Sequence, residues 1–163
     1  MTIADLIEML DFSRSKTLTF IDNLAKIGDV QKALAWRPAP GRAHIAWQLM
    51  HIAATDDRHV HVRMAPPGGQ PKDAELVRRF AGGSTPDEDI PSLDAIKSYL
   101  DAQRKLVIAC LKKVDDKVLA TKPHEQATWT YLEWGKILAW HESHHQGQAH
   151  LTLNLYKAAH GIK

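Results

Sequence analysis

Apolar residues return every three or four positions along four separate stretches of this 163-residue chain, and no stretch shows the period of two that a half-buried strand requires. That spacing confines the chain to helices with one wet and one dry face, which bury the dry faces against one another. The first stretch, from Thr2 to about Lys26, carries Ile3, Leu6, Ile7, Leu10, Leu18, Ile21 and Leu24, with Thr2 placed to cap it. Gly28 and Asp29 end it, and "AWRPAPGR" then forbids regular helix until about Arg42. The second runs from about Ala43 through Met64 on Ile45, Leu49, Ile52 and Ala53, and stops at "APPGGQP". Residues 65–91 have no sustained period and read as a long surface crossover with at most a short helix around "DAELVRRF". Ser92 caps the third stretch, which has Asp94 in its first turn and repeats Leu93, Ile96, Leu100, Leu106, Val107 and Leu111. After "DDKVLATKPHEQATW", a fourth helix is expected from about Thr130 to His160, with Gly161 to end it. The expected fold is all-α: one domain over residues 1–163, a four-helix bundle with a long crossover between its second and third helices.

Charge and composition narrow the partners. The formal net charge is +2, with Lys and Arg scattered among Asp and Glu, so the basic patch of a nucleic-acid binder is missing. No apolar run approaches the length that spans a bilayer, and "MTIADLIEML" has no basic leader followed by an apolar core, so a soluble, cytoplasmic protein is expected. The single cysteine, Cys110, lies in the apolar run "LVIACL" and is expected to be a small buried hydrophobe.

The chemistry-bearing residues are histidines, ten in all, concentrated toward "AWHESHHQGQAH" in the last helix. Residues four apart on a helix differ by only about 40° and lie about 6 Å along the axis, so His141 and His145 can each direct a ring nitrogen at one cation. His144, about 60° to the other side of His141, matches less well. Two imidazoles leave a zinc-type site open, and the best third donor is His51, mid-helix in "AWQLMHIAA" on a face that must point inward. His44 shares that face but stands at the helix start, where exposure is expected. His59, His61, His124, His150 and His160 are read as surface residues or as supports to the ligands.

"HESHH" also contains the His-Glu-x-x-His signature of zinc metalloproteases. That architecture draws its third ligand from downstream. After Glu142 there is no further Asp or Glu, and Gly147 and His150 each fall one position too early for the version with a third histidine. One position on a helix is about 100°, and the protease reading is set aside.

Together, "AWRPAPGRAHIAWQLMHIA" and "HESHHQGQAH" resemble the DinB family of four-helix-bundle metalloproteins (the DinB/YfiT type) over nearly the whole chain. The resemblance implies a ligand on the second helix and a His-x-x-x-His pair on the fourth, which become His51, His141 and His145. It also implies a divalent transition metal, zinc or nickel, and, in several members, a low-molecular-weight thiol as substrate.

A metal-dependent, thiol-using S-transferase acting on a small molecule is therefore the first functional expectation. A metal-dependent hydrolase and a non-catalytic metal-binding stress protein are the alternatives. Within the site, Glu142 is a proton acceptor or a bundle-interior hydrogen bond, and Gln148 contacts substrate or lies on a solvated face. Trp47, one turn before His51 on the same face, is read as interior packing or as part of a substrate pocket expected beside Trp47 and Gln148, and Arg58, seven past His51 on that face, is a candidate anion contact. Unperturbed imidazoles titrate near pH ~6.5, so protons are expected to compete with the metal below that value. A homodimer completes the picture, on the apolar flank that such bundles present.

Overall fold

The structure is a computed structural model and describes residues 1–162. Its α-helices are α1 (Ile3–Leu24), α2 (Val30–Ala35), α3 (Ile45–Arg58), α4 (Ala74–Arg79), α5 (Leu93–Leu111) and α6 (Tyr131–His160). A π turn, His59–Arg63, continues α3, and a 3-10 turn spans Asp116–Val118. There is no strand among the described residues. The long helices α1, α3, α5 and α6 are the four expected ones; α6 packs on α1 and α3, and α3 also packs on α5.

Their ends follow the local chemistry. Thr2 and Asp5 exchange reciprocal side-chain bonds with each other's N–H groups, as do Thr130 and Glu133, and Ser92 accepts from the Ala95 N–H. Gly161 closes α6 at φ 64°, a left-handed conformation that costs a glycine nothing. Near the start of α6 the bundle depends on the missing side chain of Gly135, where a Cβ would lie 2.9 Å from both Leu6 methyl carbons.

The core has two apolar clusters. One gathers Phe20, Leu34, Leu49, Ile52, Phe80, Leu100 and Leu153; the other gathers Leu6, Leu10, Val107, Leu111, Trp134 and Leu138. Each long helix contributes a charged residue to a polar layer near the boundary of the two clusters: Arg14 on α1, Asp56 on α3, Arg104 on α5 and Glu142 on α6. All four are buried and bond to one another, Arg14 Nε to Glu142 Oε1 at 2.6 Å, Arg104 Nη2 to Glu142 Oε2 at 2.5 Å, and Arg104 Nε to Asp56 Oδ2 at 3.1 Å. Burial opposes the Arg104 charge, but the facing carboxylates of Asp56 and Glu142 outweigh it and raise its pKa.

Three details depart from the sequence expectations. The chain between Gly28 and the prolines forms α2, started by the Asp29 side chain accepting from the Lys32 N–H. The second helix widens after Arg58, where the Met64 N–H donates to the His59 carbonyl five residues back. His44 is buried, not exposed, because its Nδ1 caps α3 by accepting from the Trp47 N–H at 2.9 Å while its other nitrogen donates to the Asp87 carbonyl at 3.1 Å. Cys110 is half-buried, with burial pushing its thiol pKa up.

Candidate metal centre

His51 enters the bundle from mid-α3 and is held on both sides. The Trp47 ring stacks on it at 4.6 Å between centroids and 13° between planes, a consequence of one-turn spacing on a buried face. Its Nδ1 lies 2.6 Å from the Phe80 carbonyl oxygen at the end of α4. A carbonyl only accepts, so Nδ1 carries the proton and Nε2 presents a lone pair to α6. The crossover thus sets the tautomer of a residue on the second long helix.

Across the gap stand His141 and His145, one turn apart on α6. His145 Nδ1 donates to the Gln48 side-chain oxygen at 2.6 Å, which again leaves Nε2 free. His141 Nε2 lies 3.1 Å from His51 Nε2 and 3.5 Å from Thr55 Oγ1. One ring nitrogen from each of the three histidines lies within 4.8 Å of the others. Two nitrogens each about 2.0 Å from a tetrahedral zinc are ~3.3 Å apart, so the 3.1 Å pair has the separation of two ligands of one ion. With Nδ1 of His51 and His145 fixed by acceptors, these residues fit a divalent metal.

The electrostatics favour the ligand form. Burial lowers the pKa of all three rings; His141 is pushed down to about 2 by burial and by the facing His145 and His51, and His145 to about 4 by burial and the neighbouring His51 and His144. All three are neutral at pH 7. The expected onset of proton competition near ~6.5 is accordingly corrected downward, because burial discourages the charged ring.

A cavity of about 300 Å³ opens onto this cluster. It reaches His51 and His141, with Thr55, Arg58, Trp129 and Trp140 on its walls. A larger hollow of about 610 Å³ between α1 and the far half of α6 touches none of the three imidazoles, so size alone does not mark the site.

The other residues singled out in the sequence separate. Arg58 lines the cavity. Trp47 does not; it backs His51 and donates its indole N–H to Ser84 Oγ at 3.1 Å. Gln148 donates to His144 Nε2 at 2.9 Å, outside the cavity. The pocket expected beside Trp47 and Gln148 therefore lies on the opposite side of His51, toward Thr55. Glu142 is fully buried in the ion cluster with both oxygens bonded to guanidiniums, and its place is the bundle interior, not the imidazoles. Gln48, Thr55 and the Phe80 carbonyl were missed. The first two sit three residues before and four after His51, spacings that put them on its face; Phe80, in a segment without periodicity, gave no signal.

Residues 3–149 match the family model of the DinB superfamily. The chain belongs to the DinB superfamily. The match spans α1 through most of α6, including all three imidazoles. Searches of curated proteins and of solved structures returned no match. In this DinB-superfamily chain, then, the helical fold and a three-histidine cluster suited to a metal stand together, and among the described residues no helix is long and apolar enough to cross a membrane.

Proposed function

We propose that the protein is a metal-dependent enzyme in which His51, His141 and His145 hold one divalent ion, zinc or nickel, and a small thiol is transferred to an electrophilic carbon. The observation that carries this reading is the cavity of about 300 Å³ reaching His51 and His141, which favours an accessible coordination position over a sealed tie between helices. When bound, such an ion supplies Lewis acidity that lowers the pKa of a thiol or water brought to it. The chain's own residues do the rest. The Phe80 carbonyl and the Gln48 side chain hold two imidazoles in the tautomer that directs Nε2 inward. Trp129, Trp140 and Ile137 give the cavity apolar wall surface, and Thr55 Oγ1 offers a hydroxyl beside His141. Glu142 acts through structure, fixing the stretch of α6 that carries both ligands.

Turnover of an electrophile such as a chlorinated aromatic, with a panel of cysteine-derived thiols, is expected to need both metal and thiol. Equal rates with and without chelator, or no thiol-dependent rate with any thiol, would remove the transferase reading; metal-dependent ester cleavage without thiol would put hydrolysis in its place. The same reading includes a homodimer, supported by apolar side chains left exposed on adjoining helices, Phe12 on α1 and Leu151 and Leu155 on α6. Light scattering giving the monomer mass at micromolar concentration would contradict it.

A further inference from the structure

Five arginines are withdrawn at least partly from solvent: Arg14, Arg37, Arg63, Arg79 and Arg104. Four of them bond carboxylates. Arg63 is the exception among the described residues: its one polar side-chain partner is His59 Nε2 at 3.4 Å, and its guanidinium carbon sits 5.6 Å over the Trp134 ring. His59 offers no charge, since burial pushes it down to about 3. Arg58, five residues earlier and exposed, likewise has no carboxylate partner among the described residues.

Both side chains line the cavity that opens on the imidazoles, and no Asp or Glu lines it with them. Burial and the nearby Arg58 charge lower the Arg63 pKa, and no carboxylate in the cavity lining offsets either cation. A pair of like charges set in a concave, largely apolar pocket costs free energy that an anion recovers on binding. Arg58 ends α3 and Arg63 ends the π turn that continues it, and both reach the cavity that Thr55 and His59 also line.

We infer that the cavity takes a small molecule with an oxyanion head, carboxylate or phosphate, against Arg58 and Arg63 and an apolar body against Trp129, Trp140 and Ile137, its reacting end at His51 and His141. Only the last clause rests on the function proposed above. A volume of about 300 Å³ suits a molecule of one or two rings. Planar guanidiniums match the paired oxygens of either head.

The test is equilibrium binding of 2-naphthoate, 2-naphthyl phosphate and the neutral 2-naphthamide to the 163-residue chain, zinc-loaded and chelator-treated, read by quenching of tryptophan emission. At least one anion is expected to bind about tenfold tighter than the amide, the stronger of the two identifying the head. Arg58→Glu, at an exposed position, and Arg63→Gln are each expected to reduce that preference about fivefold or more while leaving amide binding in place. No binding of either anion, equal affinity for anion and amide, or a preference unchanged in both variants overturns the inference. The chelated arm separates it from the metal reading. A preference that persists without zinc and falls in Arg58→Glu upholds the guanidinium pair even if no metal site exists, whereas one that needs zinc and survives both variants assigns the anion to the metal and overturns the pair.

Discussion

His141 and Glu142 are adjacent on α6 yet belong to opposite kinds of polar site. Glu142 joins Arg14, Asp56 and Arg104, two cations and two anions drawn from all four long helices, every one buried and paired. His141 joins His51 and His145, three neutral rings with no opposite charge and with one nitrogen of each converging. The first group is complete in itself. The second is complete only on its outer side, where Phe80 and Gln48 occupy Nδ1 of His51 and His145 and leave the inner nitrogens for something else. One helix therefore carries a closed site that holds the bundle in register and, about 100° around, an open one that can bind.

The contrast breaks most visibly at Glu142. Glu142→Ala leaves Asp56 as the one carboxylate facing two buried guanidiniums and is expected to cost about 3–5 kcal/mol in urea unfolding. A change below ~1 kcal/mol would mean that the cluster is not a closed structural unit. His51→Ala should have the reverse profile, a smaller loss of stability than Glu142→Ala with metal affinity reduced ~100-fold or more, since one of three ligands is gone. Full metal stoichiometry in that variant by elemental analysis would dismiss the triad.

Acidification probes the neutral half. His59 lies close by, its Nδ1 donating to the Thr55 carbonyl at 2.7 Å and its folded pKa down at about 3. The unfolded chain takes up that proton first as pH falls through ~6.5, so the stabilisation is complete above this value and drains away toward the folded pKa, reaching about 2 kcal/mol of loss at pH ~5. His51, His141 and His145 act in the same direction. For chelator-treated protein the urea midpoint should fall between pH ~7.5 and ~5; an unchanged midpoint would deny that these rings are buried neutral. The smallest effect is expected at Gln48. Gln48→Leu keeps the bulk but frees His145 Nδ1, for a loss of about tenfold in metal affinity, measured by competition with a chromogenic chelator. Unaltered affinity would mean that the bond does not orient the ligand.

Much of this was legible in the chain. Caps and breakers mark the ends of the long helices because they act within a few residues: Thr2 with Asp5, Ser92 with Ala95, Thr130 with Glu133, Gly161 by its backbone alone. The pairing of His141 with His145 could be read from helical spacing for the same reason, and His51 from its place among apolar residues in mid-helix. Glu142 and the cavity could not. Where Glu142 points depends on Arg14 and Arg104, which lie 128 and 38 residues away, and nothing local separates an acid that meets guanidiniums from one beside a ligand. His44 misled because an imidazole can cap a helix through an unprotonated nitrogen, a use that makes burial favourable at a position that is ordinarily wet. The short α2 had its own signal in the Asp29 cap, but six residues carry too little periodicity to announce themselves.

The bond between His51 and the Phe80 carbonyl ties the order of a surface segment to events in the interior. Its geometry runs both ways: a Lewis acid bound at Nε2 would make the Nδ1–H a stronger donor and tighten the grip on residues 74–80, and anything that pulled those residues loose would cost the same free energy at the imidazoles. With an ion bound, the crossover would be a gauge of occupancy, readable from outside as protection of its amides from exchange or of its backbone from a protease.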